Sequence, residues 1–501
     1  MDEPGCVLDL TLDPADVPRL SRVPALAALR AGRARATSVE MIWHDTPEGA
    51  LAAAGLSLCE RRVGRERLWR LERLRGTPEF PWPPGAPAPL VAEAAALADL
   101  GAELPTPLLP VAALSGQLRT LPLTAPGPLG LALLAGTLRA VTGERAVCRV
   151  ILSGAPDQVG PLLLALGAAV SLSVPAGSLA AEAGAVAGRV PPPRALGAPV
   201  LPVQATVADA FARVAGHLVG VVLHLAPLAR ADGPSEAVHQ IRVALRRLRS
   251  AISLFRRAVG GPALDAANAD LRALSRVLGP ARDWDVFRDG TARDVQAAFP
   301  DERAIARLLT AAERRRLAAY AALRTYLDGP AFRLLGLRLA LLLAARPWDQ
   351  PAETEAEADT AKRAEAQATP LAAFAAHMLH RRLARVLGAG DDFAALPTEA
   401  VHAVRIQGKR LRYAAEFFAP LFPRKETRRF LRRSSALQER LGHLNDGAAV
   451  AGLLAQLGDG GAERALAVGI VRGFVAAGMR AARAKSERSW RKFSRLEPFW
   501  E

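Results

Sequence analysis

The sequence predicts an α+β domain followed by an all-α region built from two related helical bundles. Three observations predict it. Short alternating apolar runs separated by turns occupy residues 5–155. Ala, Leu and Arg dominate while aromatics make up only 5%, a composition of packed helices rather than sandwiches. Two stretches of the C-terminal region are copies of each other. At 501 residues the chain exceeds one ordinary core, so two or three domains are expected.

The β-like runs are CVLDLTL, TSVEMIWHDT, RERLWRLERL and RAVCRVILSG. Alternation at 7–12 and 147–152 is what half-buried strands require. Residues 76–90, GTPEFPWPPGAPAPL, read as a proline-rich loop. The α+β domain is assigned to 1–175 and a Gly-, Pro- and Ala-rich linker to 176–204. The longest uncharged stretch, 158–181, is broken by Gly160, Pro161, Gly167, Pro175 and Gly177, so it reads as soluble core and loop rather than a membrane span.

Charge is unevenly placed. The net +16 lies wholly in 201–501, because residues 1–200 balance 18 Arg against 18 carboxylates. A polyanionic partner would therefore belong to the C-terminal part. Cys6, Cys59 and Cys148 are sparse, odd in number and without metal-site spacing, which argues for a reducing compartment and no disulfide framework. The first residues, MDEPGCVLDL, lack a basic segment followed by an apolar run, so no signal peptide is read and a cytoplasmic location is expected.

From 205 onward the pattern is helical. Repeat one is assigned to 205–345, an acidic linker to 346–369 and repeat two to 370–501. A shift of 163 residues lays PSEAVHQIRVALRRLR (234–249) on PTEAVHAVRIQGKRLR (397–412), with nine of sixteen positions identical. Phe211 meets Phe374, His217 meets His380, Phe255 meets Phe418, and LGPARDWD at 278–285 meets LGHLNDGA at 441–448. Each copy is long enough to be a helical bundle.

Within the first copy, Val238, Ile241, Leu245, Leu248, Ile252 and Phe255 follow the 3-4 spacing of a core stripe. One position on, His239, Arg242, Arg246 and Arg249 repeat that spacing; the second copy gives His402, Arg405, Lys409 and Arg412. A one-residue shift is about 100° around a helix, so the cations flank the core at its shoulder. Ser235 and Thr398 read as N-caps. A solvated basic face or internal ion pairs is the plain alternative. It is weakened because the second copy keeps the His and the cations while Gln240 becomes Ala403 and Ala244 becomes Gln407. A cationic row spanning ~15 Å suits a line of phosphates. For the repeated Gly and Asp of LGxxxD the preferred reading is a helix end whose Asp caps the next helix or orients an Arg. His217 and His380 are left open between groove and core.

Duplicated VHxxRxxxxRLR helices, each followed by LGxxxD, resemble the CHAD domain (conserved histidine α-helical domain) over roughly 203–501, and the closing SWRKFSRLEPFW is similar to the end of such domains. The resemblance implies two pseudo-symmetric bundles whose basic helices line a groove that binds inorganic polyphosphate, and association with polyphosphate granules. Carried over by motif, the anion-contacting residues are His239, Arg242, Arg246, Arg247 and Arg249 with His402, Arg405, Lys409, Arg410 and Arg412.

The N-terminal segment HDTPEGALAAAGLSLCERR at 44–62 is similar to the CYTH domain, the triphosphate-tunnel fold of antiparallel β-strands. It departs where the chemistry lies. The family's ExExK strand stands as Val7-x-Asp9-x-Thr11, its later acidic strand as RAVCRVILSG, and Cys59 replaces a usual arginine although Arg61 remains. Metal-assisted hydrolysis needs several converging carboxylates. A degenerate, inactive CYTH-like domain is therefore expected, with no catalytic residue, no metal and no cofactor; scaffolding, homodimerisation and partner contact stay open for it.

Three functions are weighed. Non-enzymatic polyphosphate binding is preferred. A triphosphatase or polyphosphatase would need the missing carboxylates. Nucleic-acid binding is suggested by the pI of 10.9, but Tyr413 is the lone aromatic beside the basic rows, so only non-specific binding is expected.

Overall fold

The computed structural model describes residues 5–74, 85–87, 90–93, 107–189, 199–230, 235–349, 357–390, 392–458 and 460–501. Most of the loop expected at 76–90, residues 190–198 of the expected linker and 350–356 of the acidic linker lie outside these. The chain divides into two compact units. One comprises residues 1–199, 215–224 and 328–350, the other 200–214, 225–327 and 351–501.

Among the described residues the first unit has nine strands: β1 Cys6–Leu12, β2 Arg35–Asp45, β3 Leu56–Val63, β4 Glu66–Arg73, β5 Leu90–Glu93, β6 Leu109–Leu121, β7 Leu129–Ala140, β8 Gly143–Gly154 and β9 Leu172–Ser173. Their order is β5-β4-β3-β2-β6-β7-β8-β1-β9, with every pair antiparallel. This is consistent with a CYTH-like barrel. The alternation read at 7–12 is real, since β1 buries every second residue.

Short helices α1 Val17–Leu20, α2 Pro24–Ala27 and α3 Ala50–Ala53 decorate the sheet, followed by α4 Pro156–Ala169 and α5 Leu179–Val186. One face of the sheet, with Leu8, Leu10, Val150 and Leu152, packs on Leu162 and Leu163 of α4 and on Leu337 and Ala340 of the helix Pro330–Ala345, α11 in chain order. The opposite face gathers Trp43, Leu114, Leu138 and Val147 around Ala180 and Ala183 of α5.

Two boundaries differ from those expected. The linker at 176–204 contains α5, because Ala180 and Ala183 complete the second apolar cluster; and α11, assigned to repeat one, is taken up by the first unit through Leu337 and Ala340. Gly and Ala composition signalled a linker where close packing of small residues was the cause.

The second unit is all-helical. Its members are α6 Val207–Arg230 (shared with the first unit), α7 Ser235–Val259, α8 Pro262–Phe287, α9 Arg293–Ala298, α10 Arg303–Asp328, α12 Glu357–Ala368, α13 Leu371–Leu387, α14 Thr398–Phe418, α15 Arg424–Ala455 and α16 Gly461–Ser494. The 163-residue offset carries α6, α7, α8 and α10 onto α13, α14, α15 and α16. The paired phenylalanines meet: Phe255 lies 5.8 Å from Phe211, 5.5 Å from Phe374 and 5.7 Å from Phe418 between ring centroids. A second core joins the copies, with Trp284, Phe287 and Leu308 packed against Val450, Leu453 and Val471. Each buried Leu, Ile or Phe contributes about 1.5–3 kcal/mol of transfer free energy, so the repeats stabilise each other.

Three local expectations are corrected. The acidic linker at 346–369 is partly α12, held to α7 by the Gln367 Nε2 hydrogen bond to Ala258 O at 2.8 Å. Thr398 is the first helical residue of α14, with Pro397 at the cap and no side-chain cap bond; Ser235 likewise opens α7 from within. LGxxxD is not a helix end, for α8 and α15 run straight through it.

Candidate functional site

The core stripe of α7 is buried throughout, from Val238 to Phe255, and so is its counterpart in α14. The basic rows therefore emerge where these helices meet their neighbours. His239, Arg242 and Arg246 of α7 share a cavity of about 780 Å³ with Arg405 of α14, Arg282 and Asp283 of α8, Arg440 of α15 and Lys485 of α16. Among the described lining residues six cations thus face two carboxylates, Asp283 and Asp294. The cationic rows of the two copies converge on one space.

The repeated glycine and aspartate act here. Asp283 accepts from Arg242 at 3.2 Å, and a Cβ on Gly279 would lie 3.2 Å from the Arg242 guanidinium. Gly279 gives the guanidinium room and Asp283 orients it, the second of the two roles expected for that aspartate. Burial lowers the Arg242 pKa, Asp283 partly offsets this, and Arg246 and Arg282 add to the lowering. Burial also lowers the His239 pKa, with Arg282 adding to it. Arg246 has a buried Nε without a hydrogen-bond partner among the described residues.

Lys409, the counterpart of Arg246, is the most perturbed. Burial, then Arg405, Arg246, Arg412 and Arg242, push its pKa down to about 7. The helix is altered beside it. Gly408 stands where repeat one has Leu245, and Gln438 of α15 occupies the space; its amide, oriented to satisfy both atoms, donates to Arg405 O at 3.2 Å and accepts from the Lys409 N–H at 3.3 Å.

The other expected residues separate. Arg247 and Arg412 both pair with Glu416, each at 2.7 Å, and lie over the Tyr413 ring at 5.7 and 5.2 Å. They form an ion-paired knot between the copies. Arg249 and Arg410 instead join Arg272 and Arg382. Arg382 is only 6% exposed, and burial followed by Arg410, Arg385 and Arg381 pushes its pKa down to about 10. Arg249 is lowered by burial, then by Arg272 and Arg410. His402 is exposed and does not line the cavity. His380 is exposed beside Glu501 at 3.4 Å, and His217 is buried; neither lines it.

Arg282, Arg440 and Lys485 were not found from sequence. Their counterparts in the other copy are Asn445, Val277 and Ala322, so a search for duplicated cations passes over them.

In the first unit, Asp9 is not free to hold a cation. It accepts two hydrogen bonds from Arg149, at 3.0 and 2.9 Å, and Glu182 of α5 accepts a third at 3.2 Å. Arg149 is 2% exposed. The ion pair ties β1 to β8, the two strands whose sequences depart from the CYTH pattern. No cluster of three or more metal-ligating side chains occurs among the described residues.

Residues 207–455 match the family model of the CHAD domain. The crystal structure of the CHAD domain from the plant Ricinus communis superposes with a TM-score of 0.50 at 27% identity, covering 61% of this chain and 98% of that one. The duplicated helical part of this chain is a CHAD domain. Two uncharacterized proteins of Mycobacterium tuberculosis, from strains CDC 1551 / Oshkosh and ATCC 25618 / H37Rv, are each 30% identical over 213 residues, 42% of this chain. The match covers 39% of the length of those relatives.

Proposed function

We propose that the protein binds inorganic polyphosphate in the groove between its two CHAD repeats and is thereby held at polyphosphate granules in the cytoplasm. One observation carries the reading: cations from both copies converge on a single cavity, and among its described lining residues they outnumber the carboxylates. Closely placed guanidinium groups repel one another, and a multiply charged phosphoryl chain relieves that repulsion while accepting their forked hydrogen bonds. The protein acts as a binder, not an enzyme, because Asp9 is committed to Arg149. Nucleic acid is bound chiefly through charge, since among the described residues Phe474 is the single exposed ring lining the groove, too little for a run of stacked bases.

Titration with polyphosphates of increasing length tests this. Affinity rises until the chain fills the groove, and duplex DNA at equal phosphate concentration fails to displace it. Displacement by DNA overturns the proposal, and metal-dependent release of phosphate from tripolyphosphate overturns the non-enzymatic part.

A further inference from the structure

Away from the groove, α15 and α16 form a second concave cluster of cations. Arg429 and Arg433 of α15, with Arg488, Arg491, Lys492 and Arg495 at the end of α16, surround a hollow of about 460 Å³. The spacings, four along α15 and three, four and seven along α16, put each set on one helix face. Phe430 and Ser434 of one helix and Ser486, Trp490 and Phe493 of the other are buried, so the cations stand at the shoulder of a packed seam. All six are exposed. Among the described residues a single carboxylate pairs with the set, Glu487 with Arg491 at 3.2 Å.

The duplication shows that the scaffold does not demand this charge. The positions 163 residues earlier are Ala266, Asp270, Thr325, Asp328, Gly329 and Phe332, with no cation and two carboxylates. Like charges on adjacent turns weaken a helix, so six gathered in one copy alone need a compensating anion. The lining holds no aromatic ring for base stacking, and Leu496 is its single apolar residue, too little to anchor in a lipid surface. Five forked guanidinium groups favour phosphoryl oxygens.

We infer that this hollow is a second phosphoanion site, separate from the groove, that takes a short segment of polyphosphate. The inference shares its ligand class with the groove reading, yet the two fail separately.

The experiment is calorimetric titration of the full chain with sodium tripolyphosphate. The wild type takes up two equivalents. R433E/R488E takes up one, bound in the groove; R242A/R246A/R405A/K409A takes up one, bound at the hollow. A size-preserving R433Q/R488Q variant, checked for unchanged helical circular dichroism, loses at least tenfold in affinity at one site only. Two equivalents retained by R433E/R488E overturn the second site, whereas two retained by the groove variant overturn the groove reading instead. Displacement of the hollow's tripolyphosphate by duplex DNA at equal phosphate concentration overturns the ligand assignment.

Discussion

Arg247 of the first repeat and Glu416 of the second meet at 2.7 Å, and the duplication has no mirror image of this bond. The counterpart of Arg247 is Arg410, but the counterpart of Glu416 is Ser253. Arg272 and Arg382 add charge around Arg410 and Arg249 where the equivalent positions are Ser435 and Val219. One side of the pair of helices is neutralised and structural; the other keeps its charge.

Glu416→Gln removes the shared acceptor of Arg247 and Arg412 and leaves two half-buried guanidinium groups facing each other. Stability should fall by about 2 kcal/mol, read as a lower denaturant midpoint. An unchanged midpoint would show that the knot is ornamental.

Ser253→Glu supplies the missing carboxylate opposite Arg410. The variant should melt at higher temperature and keep its affinity for long-chain polyphosphate, because Arg249 and Arg410 do not line the groove. Weaker binding by the variant would show that Arg410 contacts the ligand after all.

Replacing Arg242, Arg246, Arg405 and Lys409 together with Ala removes three cations that line the groove and the lysine beside them. The slope of log affinity against log salt should flatten by about three, while helical circular dichroism stays intact because the core stripe is untouched. Unfolding would instead assign these side chains a structural role.

Lys409 gives the groove a pH dependence. Its pKa of about 7 in the free protein rises when an anion binds, since the charged form is then favoured. Below pH 7 it is charged in both states and affinity is greatest; above that, binding takes up a proton and weakens, by at most tenfold per pH unit. Arg405, Arg246, Arg412 and Arg242 are the charges that face it, and burial lowers the His239 pKa from its usual value. Calorimetry at pH 8 in buffers of differing ionisation enthalpy should detect the uptake, and Lys409→Arg should abolish it.

Parts of this protein were legible because their cause is local. Four strands were legible as short β-like runs, two of them by alternation, and the stripe from Val238 to Phe255 by its 3-4 spacing. β6 and β7 did not, since LPVAALSGQLRTL and LGLALLAGTLRA are Leu-, Ala- and Gly-rich and become strands only through pairing with their neighbours. Gly408 interrupts the large apolar side chains of the α14 stripe because Gln438 of α15 fills its place, a contact that no local spacing encodes.

The amino-acid sequence alone determined the duplication and the basic rows at the edge of a buried stripe, because identity and periodicity are carried residue by residue. Only the tertiary structure decided which cations share a cavity and which are consumed. Whether Arg247 finds Glu416 while Arg410 finds other arginines depends on approach across helices, a distance that no one-dimensional spacing encodes.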